Sequence, residues 1–387
     1  MERLKYKLSE ICNITMGQAP KGSSYNDVGE GYPLIAGAGD FGLNTPKPKK
    51  HTVKPTRLSV NDDLILCIRA TIGDLNWSDN QYCLGRGVAG LRPIPNKLDK
   101  NYLWHFLQSY KEELQKKGTG STFKQISRSH IEEIEVPLPS LEEQKRIAAI
   151  LDKADAVRRK RQQAIELSEQ LLRSVFLDMF GDPISNPKDW KKIKLGVLCN
   201  ICRGGSPRPI QQYLGGTIPW IKIGDATKSD DIYLTSTKEK IIESGLSKTR
   251  LLQPGSLIFA NCGVSLGFAR ILKIEGCIHD GWLAFDIKDS QLNQLFLLKA
   301  LNQITKYFQE IAPDGTQPNL NTEIMKNFEL IIPPIELQNK FEDIVSRVSG
   351  IKKTLINAFE LANNSFNSLM DKAFKGELSK QLETELA

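Results

Sequence analysis

The sequence has no apolar run of membrane-spanning length, and Met1-Glu-Arg-Leu-Lys lacks the pattern of a secretory signal. Its four histidines stand apart from one another, too isolated for a zinc or acid–base constellation. Seven cysteines, an odd number without regular spacing, make no disulfide framework and point to a reducing compartment. No G-x-x-x-x-G-K-[ST] loop is present to cradle phosphates. Nor is there an Asp-Pro-Pro-Tyr/Phe or Asn-Pro-Pro-Tyr/Phe tetrapeptide of the amino-methyltransferase kind; Ile332-Pro-Pro-Ile lacks the polar first residue and the aromatic last one. The sequence therefore shows no catalytic, cofactor or metal site of its own.

Three fragments imitate such sites. Gly37-Ala-Gly39-Asp-Phe-Gly42 fits G-x-G-x-x-G, but a dinucleotide site needs a helix there, and Pro46 and Pro48 forbid one; a turn is the expectation. Cys199-x-x-Cys202 is half a metal or redox motif without its second half, so two buried thiols are expected. His279-Asp280 suggests a dyad, yet no nucleophile stands near it in sequence, which favours a structural or surface histidine. What remains is ordinary: 40% hydrophobic, 25% charged, with a formal charge of +7 that permits a polyanionic partner without requiring one.

The informative stretch runs from Pro137 to Gly181. Val136-Pro-Leu-Pro-Ser-Leu-Glu-Glu-Gln-Lys-Arg-Ile147 opens a long tract free of Gly and Pro. Ser140 is placed as N-cap and Glu143 as its capping-box partner, while Gly181 and Pro183 mark the end. Ile147, Ile150, Ala154, Val157, Ala164, Leu171 and Val175 form a coiled-coil seam on a helix roughly 60 Å long. A helix with one apolar stripe needs a partner, and the same chain supplies it. Ile332-Pro-Pro-Ile-Glu-Leu-Gln338 repeats the entry, and Phe341, Ile344, Val348, Ile351, Leu355, Ala358, Ala362 and Leu369 repeat the seam. Gln144 and Gln338 are 194 apart (338 − 144), and Leu141 to Ile335, Ile147 to Phe341 and Phe180 to Phe374 keep that offset. The chain is a tandem duplication.

Each helix follows a globular segment of mixed α/β pattern. The first has strand-like Leu64-Ile-Leu-Cys-Ile and Gly87-Val-Ala-Gly-Leu, one clear helix from Tyr102, and a basic loop from Lys116 through Gly118 to Thr122. The second replays these landmarks. Cys12-Asn13 answers Cys199-Asn200, Tyr32-Pro-Leu-Ile35 answers Ile218-Pro-Trp-Ile221, and Gly120 to Ile126 answers Asp314 to Leu320, with Gln125 opposite Asn319. Most residues between the landmarks differ. One scaffold thus carries two different surfaces. The boundaries are 1–139 and 186–334 for the two globular segments, 140–185 and 335–387 for the helices. The fold class is α+β, two tandem mixed units separated by an antiparallel pair of long helices with pseudo-two-fold symmetry.

This order of parts resembles the specificity subunit of a type I restriction–modification system. The resemblance is carried by the two Pro-rich entries and by the helix ends Met179-Phe-Gly-Asp182 and Ala373-Phe-Lys-Gly-Glu-Leu378. Gly204-Gly-Ser-Pro-Arg208, Ile218-Pro-Trp-Ile-Lys-Ile-Gly-Asp225 and Gly315-Thr-Gln-Pro-Asn-Leu320 are similar to recurrent motifs of the family's target recognition domains. The first unit departs, with Met16-Gly-Gln-Ala-Pro20 and Gly120-Ser-Thr-Phe-Lys-Gln125 in their places. The resemblance implies a non-catalytic DNA-binding subunit reading a bipartite, asymmetric duplex target, one half-site per unit. It implies two methyltransferase subunits as partners, with AdoMet bound there and not in this chain, and a motor nuclease subunit as a further partner. It also implies residence in a prokaryotic cytoplasm, on the nucleoid, and a role in antiviral defence.

Phosphate contacts want Lys and Arg on exposed loops, and base reading wants Arg, Lys, Asn or Gln at groove edges. The candidates in the first unit are Lys47, Lys49, Lys50, Arg69, Lys116, Lys117 and Lys124. In the second they are Arg203, Arg208, Lys222, Asn261, Gln317 and Asn319. Arg158-Arg-Lys-Arg161 either faces the phosphates between half-sites or lies on a solvated face beside Asp152, Asp155 and Glu166. The competing function is a coiled-coil scaffold joining two protein-binding modules without DNA.

Overall fold

The computed structural model describes residues 4–120, 124–227, 232–263, 265–312 and 319–378. The chain divides into two compact units, 1–163 with 356–387, and 164–355. Each therefore takes half of both long helices, which span Leu141–Phe180 and Ile335–Lys375. In each unit the start of one long helix lies beside the end of the other, so the pair runs antiparallel. This is the α+β class that the duplication predicts.

The first unit joins a four-stranded sheet, ordered Cys12–Met16, Val88–Pro93, Leu64–Cys67, Leu75–Trp77, to a second sheet of four short strands. The second unit repeats the wiring with Cys199–Arg203, Trp282–Ile287, Leu257–Ala260 and Ala269–Leu272, and adds Tyr233–Leu234 in parallel at the edge. Short ribbons close both units: Lys5–Lys7 pairs with Glu135–Pro137, and Lys192–Lys194 with Glu329–Ile331. The expected helix spans Lys100–Ser109, and Lys111–Lys116 and Arg128–Glu132 are helical as well. Its counterpart is Gln294–Gln303. Asp99 caps the first by accepting from Asn101 and Tyr102, and Asn293 caps the second by accepting from Leu295 and Phe296.

The long helices begin and end where the sequence places them. Ser140 Oγ accepts from the Glu143 amide at 3.3 Å, while the Glu143 carboxylate engages Arg146. Gly181 ends the first helix in the left-handed region (φ +79), its N–H donating to Leu177 O at 2.8 Å. The seam itself needs correction. Val157, Leu171 and Ile351 are 46%, 51% and 58% exposed, whereas Ile147, Leu151, Leu172, Phe176 and Phe180 are buried. The buried row advances in four-residue steps and sits mainly at the helix ends, where it faces the globular core as well as the other helix. A straight helix of 3.6 residues per turn drifts off a 3.5-residue seam, so the two rows part company along its length.

The ends carry the apolar contacts. In the second unit Phe176, Phe180, Phe296 and Phe341 form one cluster with ring centroids 4.8–5.8 Å apart. In the first, Phe374 sits edge-on to Tyr102 and Phe106, both at 5.4 Å. Arg158-Arg-Lys-Arg161 lies beside Asp155, as one of its two readings has it, but that acid is buried and the arginines are not on a solvated face. Arg158 and Arg159 both donate to Asp155, which is 5% exposed, Arg159 reaches Asn44 Oδ1 at 2.7 Å, and Arg161 donates to the Ala358 carbonyl. These groups staple the first unit's helix halves to each other and to a loop.

A buried carboxamide joins each helix to its globular segment. Gln144 Oε1 accepts from the Asp99 amide at 2.8 Å, and Nε2 donates to Lys97 O and Pro139 O at 3.0 Å each. Gln338 repeats this with Asn293 (2.8 Å), Gln291 O (2.9 Å) and Pro333 O (2.7 Å). Only an amide side chain both accepts and donates in this way. Gln144→Leu strands these backbone groups in a dry site and is expected to cost about 2–3 kcal/mol, visible as a lowered urea midpoint. Gln338→Leu should behave alike, whereas Gln163→Leu, at an exposed position, should stay within about 0.5 kcal/mol of the parent.

Candidate nucleic-acid interface

In the first unit, Lys49, Lys50 and Arg69 line one cleft of about 990 Å³. Its wall includes the Gly37–Asp40 turn, which is a single 3₁₀ turn (Ala38–Asp40) and not the helix that a dinucleotide site would need. Asp40 is spent on that turn, accepting from the Ala36 amide at 2.7 Å. Lys47 is exposed on the same basic loop, its N–H donating to Asp40 O at 2.8 Å. Arg69 meets Gln125 in an isolated bridge, and the Ala70 amide donates to Lys124 O at 3.0 Å. The loop carrying exposed Lys124 is thereby laid beside the cleft-lining strand end. Lys116 pairs instead with Glu113 at 2.6 Å, and Lys117 lies over the Tyr110 ring at 5.5 Å.

The second unit gathers its basic groups around an acid. Asp280 Oδ1 accepts from Ser206 Oγ at 2.8 Å and lies 3.0 Å from His279 Nε2; Oδ2 is 3.4 Å from Arg208 Nη2; and the Asp280 carbonyl accepts from Arg203 Nε at 2.7 Å. Burial would raise the Asp280 carboxyl, but the Ser206 hydroxyl and the charges of His279, Arg203 and Arg208 outweigh it and hold it below the usual range. Burial pushes His279 the other way, below its ordinary value, against the pull of Asp280. Its Nδ1 accepts from the Gly281 amide at 2.9 Å, which leaves Nε2 carrying the proton toward Asp280. The Ser206 hydroxyl faces the acid rather than the imidazole, so this is no Ser-His-Asp nucleophile arrangement. It is a brace for arginines. Arg208 remains 80% exposed beside a cleft of about 640 Å³ lined by Trp220, His279 and Gln211.

The other candidates fall differently. Lys222 is drawn to Glu239 and lies over the Trp220 ring at 5.7 Å. Asn261 is 0% exposed and donates to Asn319 Oδ1 at 2.9 Å, so it supports a loop and does not reach a groove edge. Asn319 bridges Cys262 as Gln125 bridges Arg69, which bears out their equivalence. Gln317 lies outside the described residues. Cys199 is buried and Cys202 only half-buried; three apart on one strand, they face opposite sides of the sheet. Burial pushes the Cys199 thiol, like that of Cys12, up to about 12. Among the described residues no group of His, Cys, Asp and Glu could hold a metal.

Sequence reasoning missed Arg86, which lines the first cleft, and the organising part of Asp280. The tandem offset was the available signal, because Leu84 and Ile278 occupy matching strands.

The sequence model described as "Type I restriction modification DNA specificity domain" matches residues 2–167 and again 187–361. The chain belongs to that family. A protein of Methanocaldococcus jannaschii assigned as the MjaX type I restriction enzyme specificity subunit is 36% identical over 167 residues, 42% of this chain and 39% of that relative. That match therefore spans well under half of either protein. The EcoBI specificity subunit of Escherichia coli is 23% identical, with 99% of this chain and 87% of that one covered. The crystal structure of a type I restriction–modification S subunit from M. genitalium shares the fold, with a TM-score of 0.57, 19% identity and 96% of each chain covered. No helix among the described residues of this specificity chain is long and apolar enough to cross a membrane.

Lys49 and Lys50, exposed on the cleft rim, are suited to phosphates. Replacing both with Ala should weaken binding of matched and unmatched duplexes alike and flatten the slope of log K against log salt by about 2. Titrations at several salt concentrations check this.

Proposed function

We propose that this specificity chain reads a bipartite, asymmetric duplex target, one half-site per unit, and brings methyltransferase subunits to it. The observation that carries the reading is the duplication. Two units of one wiring present different side chains: Lys49, Lys50, Arg69 and Arg86 with Asp40 and Asp74 around the first unit's cleft, and arginines braced on Asp280 in the second. Surfaces of different chemistry on a common scaffold suit two different half-sites, as half-site spacing follows protein repeat geometry elsewhere. Two methyltransferase subunits, holding AdoMet and modifying adenine, are the partners this reading requires, and a motor nuclease subunit is a further one. The chain itself supplies sequence recognition and docking, in the cytoplasm of a prokaryote.

Genome-wide mapping of adenine methylation, with and without this chain beside its methyltransferase, tests the proposal. Deletion should erase one bipartite, asymmetric motif completely and leave other motifs untouched. An unchanged methylome in a cell whose methyltransferase is active would instead favour a scaffold without DNA reading.

A further inference from the structure

We infer that Arg86 is the side chain with which the first unit discriminates bases in its half-site, and that the second unit fills the equivalent place with Asp280, which presents Arg208 instead. The inference rests on the duplex-reading function proposed above and names the residues that would carry it.

Pairing establishes the equivalence. Leu34 and Ile35 run parallel to Cys83 and Leu84, and Trp220 and Ile221 run parallel to Cys277 and Ile278 in the same register. The amides of Gly17 and Gln18 donate to Val88 O and Leu84 O; those of Gly204 and Gly205 donate to Trp282 O and Ile278 O. Two residues past Leu84 and Ile278 stand Arg86 and Asp280, at the same step of the same turn.

Arg86 is mounted rigidly. Gly85 and Gly87 on either side are buried, and a Cβ would lie 2.8 Å from Ile35 O at the first and 2.2 Å from Ala36 O at the second. The turn is further held by Gly85 N–H to Ile35 O (2.8 Å) and Ile68 N–H to Gly87 O (2.9 Å). Between these packed glycines Arg86 is exposed and lines the cleft with Lys49, Lys50 and Arg69. Among the described residues it makes no hydrogen bond or ion pair. The acids lining the same cleft are engaged elsewhere, Asp40 with the Ala36 amide and Asp74 with Lys111. Four cations and two acids line the cleft, so its field is net positive and suits a polyanion. A guanidinium with all five donors uncommitted, on a turn held by backbone hydrogen bonds on both sides, matches the paired acceptors O6 and N7 of guanine.

In the second unit a carboxylate at this step could not approach phosphates or guanine edges. It takes Ser206, His279 and Arg208 as partners, and Arg208 stays largely exposed on the loop that carries Ser206. Arg86 thus stands on the turn after Cys83–Leu84 in the first unit, whereas Arg208 stands on the 206–211 loop in the second.

The test uses the complete methyltransferase complex and competition among duplexes bearing every single base-pair replacement in the target. Arg86→Ala should lose tenfold or more of its preference at one base pair of the first half-site, with second half-site preferences unchanged as an internal check on folding. Arg86→Lys should restore overall affinity but not that preference. Equal weakening on all duplexes, or preferences intact at every position, overturns the assignment while leaving the reading of the chain in place. A parent complex without sequence preference overturns both.

Discussion

A forty-residue helix with one apolar stripe has no stable existence in water until that stripe is covered, and the remainder of this protein follows from how it is covered. The cover is concentrated at the helix ends. There Phe176, Phe180 and Phe341, or Phe374 against Tyr102 and Phe106, bury large rings, each contributing about 1.5–3 kcal/mol. The ion pair of Lys375 with Asp371 is solvent-screened and lies within one helix, so it does not decide the pairing. Between the ends, polar staples join the helices: Arg161 to the Ala358 carbonyl in one unit, and Lys352 to Glu169 in the other.

The same contacts turn a helix pair into a mount. Gln144 and Gln338 tie the first turn of each long helix to the residue that caps the following domain helix, Asp99 or Asn293. Through that link the position of each unit's cleft is referred to a helix and not to a flexible connection. Loops can then vary in charge, as between Arg86 and Asp280, without disturbing the strands beneath them. That separation of a constant frame from variable loops is what the function of a specificity chain demands.

Much of this was legible in the sequence because the chain says it twice. The helix limits follow from Ser140 and Gly181, and the constant offset exposes the duplication before any fold is considered. The register of the buried row was not legible, since the apolar pattern of a long helix does not tell whether it faces another helix or a sheet-bearing domain. Asn261 illustrates a second limit: a polar residue at a strand end reads as a contact, yet here it is sealed beneath Asn319. Arg86 was passed over for the opposite reason. Nothing in Gly85-Arg-Gly87 marks it until the two glycines are seen pressed against the neighbouring strand's carbonyls.

The central claim is that the two units read independently from a shared frame. Exchanging residues 186–334 for the matching segment of another family member, then mapping methylation, tests it most directly. One half of the methylated motif should change to the donor's sequence while the other half stays as it was. A change in both halves, or in neither with methylation still active, would contradict the account.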